Sequence, residues 1–248
     1  MLFQQYDSYT LTDHHTWSVL YNRQLDSIKK FAYRQFLKGI DQLRFLPEAI
    51  PEFNAVNRRL KNITGWTIFA VPGLIDNQLF FERLYEKKFA ATTWIRKPEQ
   101  IDYLEEPDMF HDVFGHVPLL SDPAICQYLK GLADLASRYN YQEEVTEAIA
   151  RLYWYTIEFG LVKENNILKI YGAGILSSIA ETAHCLSGKP ALKPFDPQKI
   201  LHTPYIKDSF QEQYFILDNF EDLVNVIPFL TDYFKNYTSG GSKLYYQK

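Results

Sequence analysis

The chain has 248 residues and a mass of 29.2 kDa, with 46% hydrophobic, 16% aromatic and 23% charged residues. It is long enough to bury a sizeable core, and 18 Tyr and 18 Phe suit either a ring-rich core or a pocket lined with rings. A net charge of -4 and a pI near 5.9 give no basic field for nucleic acid, no apolar run is long enough to span a membrane, and two cysteines are too few for a disulfide framework or a cysteine-based zinc site.

The opening MLFQQYDSYTLTDHHTW lacks the basic and apolar regions of a secretory signal, so a reducing cytoplasm is the default location. No repeat or linker divides the chain, which is expected to form one domain over 1–248 with peripheral tails at 1–10 and 236–248. From 11 to 46, apolar residues at helical spacing (Trp17, Leu20, Leu25, Ile28, Phe31, Phe36, Ile40, Leu43) follow a cap at Thr12 or Asp13 and predict one or two helices. His14 and His15 are adjacent, point apart on a helix and read as surface or capping residues. A second helix is expected over 48–62, then a strand in WTIFAVPG closed by a Pro-Gly turn, then a helix from Asp76 or Asn77 that carries Phe80. TTWIR at 92–96 is β-rich and ends on Arg96, whose guanidinium can clamp a carboxylate in a fork or make an ordinary surface ion pair.

PDMFHDVFGHVP at 107–118 places two of the six histidines, His111 and His116, five residues apart. On one unbroken α-helix they would lie about 140° apart. Gly115 and Pro118 are natural stops, so the helix is expected to end near Phe114 or Gly115 and let His116 turn back. The zinc-protease pattern H-E-x-x-H needs another spacing and a Glu after the first His. Two buried core histidines remain the plainer alternative.

Helices follow over roughly 121–138 and 142–160, the second ending in YWYTIEFG. Glu158 sits there between Ile157 and Phe159, and must either meet a positive partner such as a metal or turn outward with Arg151 and Trp154. ILKIYGAGILSS reads as strand, glycine turn and helix start, with Ser177 and Ser178 free to bond a ligand or a histidine nitrogen. A last helix near 219–235 leads into a polar, glycine-containing end.

Two histidines and a carboxylate form the facial triad of non-haem iron(II) oxygenases, although a hydrolytic zinc site uses the same donors and His184 could close a four-ligand structural zinc site. PDMFHDVFGHVPLLSD, YWYTIEFGL and YGAGILSS, in this order and at these separations, resemble the signature of the pterin-dependent aromatic amino acid hydroxylases. The resemblance covers about 66–220, and the YTLTDHHTW opening is similar to the single-domain bacterial phenylalanine 4-hydroxylases.

The resemblance implies a mainly α catalytic fold with a few short β-strands, and a monooxygenase that uses Fe(II), a tetrahydropterin and O2 to convert L-phenylalanine to L-tyrosine. It implies iron ligation by His111, His116 and Glu158, and pterin contacts from Gly73, Leu74, Ile75, Phe80, Asp112 and Tyr153. It further implies an amino acid pocket built by Arg96, Pro107, Trp154 and Ser177. Trp154 and Ile216 resemble phenylalanine enzymes more than tryptophan or tyrosine enzymes, whereas Leu104 stands where animal members usually carry Thr. Without the regulatory domain and tetramerisation helix of animal members, a monomer or weak dimer is expected. The competing readings are tryptophan hydroxylation and a non-catalytic metal or amino acid binding protein.

Overall fold

The structure is a computed structural model that describes residues 2–102, 104 and 106–239. The chain starts with α1 (Leu11–Phe31) and α2 (Arg34–Leu43), followed by α3 (Phe53–Ile63). The α1 cap is Thr10, two residues earlier than expected, because Thr10 and Asp13 satisfy each other's backbone N–H in a capping box. The expected N-terminal tail is pinned instead. Gln4 bonds Pro51 O and Phe53 N, the Tyr6 hydroxyl donates to Ile50 O, and the Tyr9 hydroxyl donates to Thr93 O.

β1 (Thr67–Val71), α4 (Asn77–Tyr85) and β2 (Lys88–Thr92) form a β–α–β unit with parallel strands paired from Thr67↔Lys88 to Val71↔Thr92. The strand expected at 92–96 therefore lies earlier, over KFAAT. Residues 93–96 continue past the sheet and are held by other groups, described below. Both strands end on the same edge, where the segments carrying Gly73–Ile75, Phe80 and Arg96 come together, the usual ligand edge of a parallel sheet.

Next come a π-helix (Phe110–His116), a 3₁₀ turn (Val117–Ser121) and α5 (Pro123–Arg138). The expected break at Gly115 does not occur. Pro118 falls in the first turn of the 3₁₀ segment, where its missing N–H costs nothing, and Val117 keeps helical angles. α6 (Glu143–Tyr153) runs into a second π-helix (Trp154–Glu158), closed by a Phe159 N–H to Trp154 O bond of 2.9 Å. β3 (Leu161–Glu164), β4 (Ile167–Ile170), α7 (Ala173–Leu176), α8 (Ile179–Cys185), β5 (Ala191–Pro194), α9 (Pro197–Leu201), β6 (Gln213–Leu217) and α10 (Asp222–Ser239) complete the chain. The second sheet has the order β4-β3-β6-β5, antiparallel only between β3 and β4. α10 extends through 236–239, part of the segment expected to be tail, and residues 240–248 lie outside the described part.

One core cluster gathers residues from Trp17 to Phe234. Within it Phe110 stacks on Phe114 at 4.5 Å, with Trp17, Tyr21 and Phe36 edge-on to the pair, so the back of the first π-helix is clamped by α1 and α2. Gly39 of α2 makes this contact possible, since a Cβ there would stand 2.1 Å from Pro118 O. Gly39→Ala is therefore expected to lower stability by about 1–3 kcal/mol, measured by denaturant unfolding, through displacement of the turn that follows His116. Among the described residues no helix is long and apolar enough to cross a membrane.

Candidate active site

The five-residue spacing of the histidines is resolved by helix type. Bonding from i to i+5 widens the turn, so residue i+5 comes nearly above residue i, and His111 and His116 share one face. Their Nε2 atoms lie 3.2 Å apart. The second π-helix brings Glu158 to the same point, with Oε1 3.1 Å from His116 Nε2 and Oε2 3.5 Å from His111 Nε2. Gly172 permits this convergence from the other side, because a Cβ there would stand 2.5 Å from Glu158 O.

Two imidazole nitrogens 3.2 Å apart, each 3.1–3.5 Å from one oxygen of the same carboxylate, have the separation of neighbouring ligands on one ion at bond lengths of about 2.0–2.2 Å. The proton positions fit as well. The Ser177 hydroxyl donates to Ala173 O at 2.8 Å, so its oxygen is left to accept from His111 Nδ1 at 3.0 Å. The His111 proton is then on Nδ1 and the Nε2 lone pair faces the cluster. Burial pushes the His111 pKa down to about 4, against the opposing pull of Glu158, which keeps the imidazole neutral and able to bind a metal. Burial also raises the Glu158 pKa, but His116, His111 and the Tyr153 hydroxyl reverse this and hold it below the usual carboxylate range. His111, His116 and Glu158 form the one metal-competent cluster among the described residues.

His184 lies elsewhere, bonded through Nε2 to Gln211 O and stacked on Phe210 at 4.8 Å, so it is not a fourth ligand and the closed zinc site is excluded. His14 is half-buried and accepts from Ile50 N, while His15 is exposed. Arg151, imagined as sharing an outward stripe with Glu158, is buried and bonds Leu201 O.

From the cluster an aromatic wall leads to the β1–α4 edge. Phe89 lies 4.9 Å from the His116 ring, Tyr153 faces His116 at 6.3 Å, and Phe80 stands edge-on to Tyr153 at 5.2 Å. Leu74 is 74% exposed on the loop that leads into α4. Asp112 turns its Oδ2 to the Thr92 N–H at 2.8 Å, and burial pushes its carboxyl up to about 7.

Arg96 does make a bidentate fork, but to Asp108, with Nε to Oδ2 at 2.9 Å and Nη2 to Oδ1 at 2.8 Å. Asp108 is fully buried and also accepts the N–H of Arg96 and of His111. It is the residue that sequence reasoning missed. A legible signal was available, because an Asp between Pro107 and an apolar helix start is an N-cap pattern. Arg96 Nη1 also donates to Ile101 O at 3.4 Å, so three of its five N–H groups are engaged. Ser177, expected against substrate, is in contact with His111 Nδ1. Ser177→Ala is expected to weaken metal binding about 10–100-fold, read by competition with a chelator.

The chain matches the family described as "Biopterin-dependent aromatic amino acid hydroxylase" over residues 5–238. It is 44% identical to the phenylalanine-4-hydroxylase of Chromobacterium violaceum over 221 residues, covering 89% of this chain and 74% of that protein. With the phenylalanine-4-hydroxylase of Pseudomonas aeruginosa it shares 43% over 215 residues, covering 87% and 81%. A crystal structure of the Chromobacterium violaceum enzyme with bound iron(III) and 7,8-dihydrobiopterin superimposes with a TM-score of 0.89 at 42% identity, covering 96% of this chain and 86% of that one.

Proposed function

The chain belongs to the biopterin-dependent aromatic amino acid hydroxylases, and from that premise we propose that it is a phenylalanine 4-monooxygenase converting L-phenylalanine to L-tyrosine. The observation that carries this reading is the convergence of His111 Nε2, His116 Nε2 and a Glu158 carboxylate within 3.5 Å of one another, in a chain whose relatives are phenylalanine-4-hydroxylases.

Iron(II) and tetrahydropterin, when bound, supply the activation of O2 that no amino acid side chain can perform. The protein's part is to hold and orient. His111, fixed as the Nδ1–H tautomer by Ser177, and His116, backed by Phe89 and Tyr153, would bind the iron together with Glu158. Held by these three residues alone, the iron would keep positions open for reactants. Phe80, edge-on to Tyr153 in the first turn of α4 and following Gly73, Leu74 and Ile75 in the chain, would offer a ring face to the pterin, and Asp112, bonded to the Thr92 N–H, would lie on the pterin side of the cluster. The N–H groups of Arg96 that Asp108 and Ile101 do not engage would take the substrate carboxylate, while Trp154 and Pro107 would wall its ring and limit water. The hydroxylated position is then set by which ring carbon these walls turn toward the iron.

Two buried free cysteines support work in the cytoplasm, and we read the chain as a monomer or weak dimer. A competition assay with equimolar L-phenylalanine and L-tryptophan, iron and a tetrahydropterin tests the substrate assignment. Tyrosine should dominate the products, and preferred turnover of tryptophan would overturn the assignment.

A further inference from the structure

Behind Trp154 lies a polar hub that neither the metal nor the pterin uses. Gln211, 4% exposed, accepts the Trp154 indole N–H through Oε1 at 2.9 Å and donates through Nε2 to Ile206 O at 2.8 Å. Its backbone is held too. The N–H points to Glu181 Oε1 at 3.4 Å, where the Tyr214 hydroxyl also donates, and the carbonyl accepts from His184 Nε2 at 3.0 Å. An indole can only donate and a peptide carbonyl can only accept, so the Gln211 amide is fixed in one orientation from both ends. A flipped amide would set N–H against N–H and O against O.

Trp154 needs such a restraint. Its half-buried ring lies between Tyr205, stacked at 4.5 Å, and Phe159, tilted at 4.8 Å. Ring contacts of this kind have no fixed direction within the plane, whereas an N–H bond selects which edge points where. Tyr205 sits on an exposed segment without regular structure over 203–210, and Gln211 ties both that segment and the indole to α8.

The structure assigns Gln211 as a positioning residue that orients Trp154, and through it the aromatic ring of the substrate amino acid. The assignment rests on the reading of Trp154 as a wall of the phenylalanine pocket. Gln211→Met keeps the volume and removes the acceptor. It is expected to raise KM for L-phenylalanine about tenfold, leave KM for tetrahydropterin within about twofold, and lower the tyrosine formed per tetrahydropterin oxidised. In a Trp154→Phe background, which has no indole N–H, the same substitution should add less than about twofold.

Because Gln211→Met also strips Ile206 O of a donor, a second protein isolates the bond. Replacement of Trp154 by 3-benzothienylalanine, the same ring shape with sulfur for N–H, should reproduce the rise in KM and the loss of coupling. If Gln211→Met does not fold, this protein decides alone. Unchanged KM and coupling in it, or a full-sized Gln211→Met effect in the Trp154→Phe background, would overturn the assignment. Should the unsubstituted protein make no tyrosine, the reaction reading fails instead. Equilibrium dialysis of L-phenylalanine against the same proteins would still test Gln211, with weaker binding expected in both altered proteins and equal binding counting against it.

Discussion

Glu158→Ala is expected to abolish hydroxylation and most iron retention together. Glu158 supplies the only carboxylate of the cluster, and its oxygens stand 3.1 and 3.5 Å from the two imidazoles. Loss of a partner outside the metal's own ligands commonly costs about 10–100-fold in affinity or activity, so loss of a ligand should exceed about 100-fold. Metal content after desalting, and tyrosine formation at saturating iron, measure the two effects separately. The metal-free proteins should unfold at similar temperatures, which distinguishes loss of a ligand from loss of the fold. Hydroxylation that survives at the original rate would remove Glu158 from the iron site. A protein that only binds amino acid would instead keep its L-phenylalanine affinity with no dependence on Glu158.

The second large effect is expected at Asp108, outside the metal ligands. Its carboxylate is fully buried and takes four donors, namely Nε, Nη2 and the backbone N–H of Arg96 and the backbone N–H of His111. Asp108→Ala strands the Arg96 guanidinium, whose side chain is 11% exposed, without its partner. Breaking a buried pair on one side costs about 3–5 kcal/mol. For a chain of this length that is a fall of roughly 6–20 °C in thermal midpoint, read by calorimetry. The double variant Arg96→Met/Asp108→Leu removes both charges and should recover much of that loss without recovering affinity for L-phenylalanine. Persistent instability in the double variant would mean that the His111 N–H contact, rather than the ion pair, is what Asp108 mainly provides.

Much of the fold was legible because it follows from period and caps. The apolar spacing of Trp17 through Leu43 allowed one or two helices and the structure has two, a start at Asp76 or Asn77 matches α4, and Gly172 allowed the close backbone approach expected of the YGAG turn. The errors arose where a local rule met a tertiary constraint. Gly115 and Pro118 should stop an α-helix, but burial of Phe110 and Phe114 against α1 and α2 holds the segment helical, and the histidine spacing is met by widening the turn. The N-terminal ten residues look like a tail by composition. Within them, Gln4, Tyr6 and Tyr9 are tethered by hydrogen bonds to Ile50, Pro51, Phe53 and Thr93, which lie far away in sequence.

The site divides the same way. His111, His116 and Glu158 were visible as candidate metal donors because their residue types are rare or costly in apolar surroundings. Of the arrangement that serves them, only a bond between Ser177 and a histidine nitrogen was anticipated. Asp108 works through backbone N–H groups, Ser177 through the far nitrogen of His111, and Gln211 through an indole. Each bond joins ordinary residues, and only the folded chain shows that the polar atoms meet.

The measurement that bears most directly on the whole account is anaerobic reconstitution with Fe(II), followed by exposure to O2 with L-phenylalanine and a tetrahydropterin. The expected result is about one iron per chain, with L-tyrosine formed in proportion to iron loaded and to pterin oxidised. L-Tyrosine formed equally well by the metal-free protein, or none formed by the fully iron-loaded one, would contradict the account.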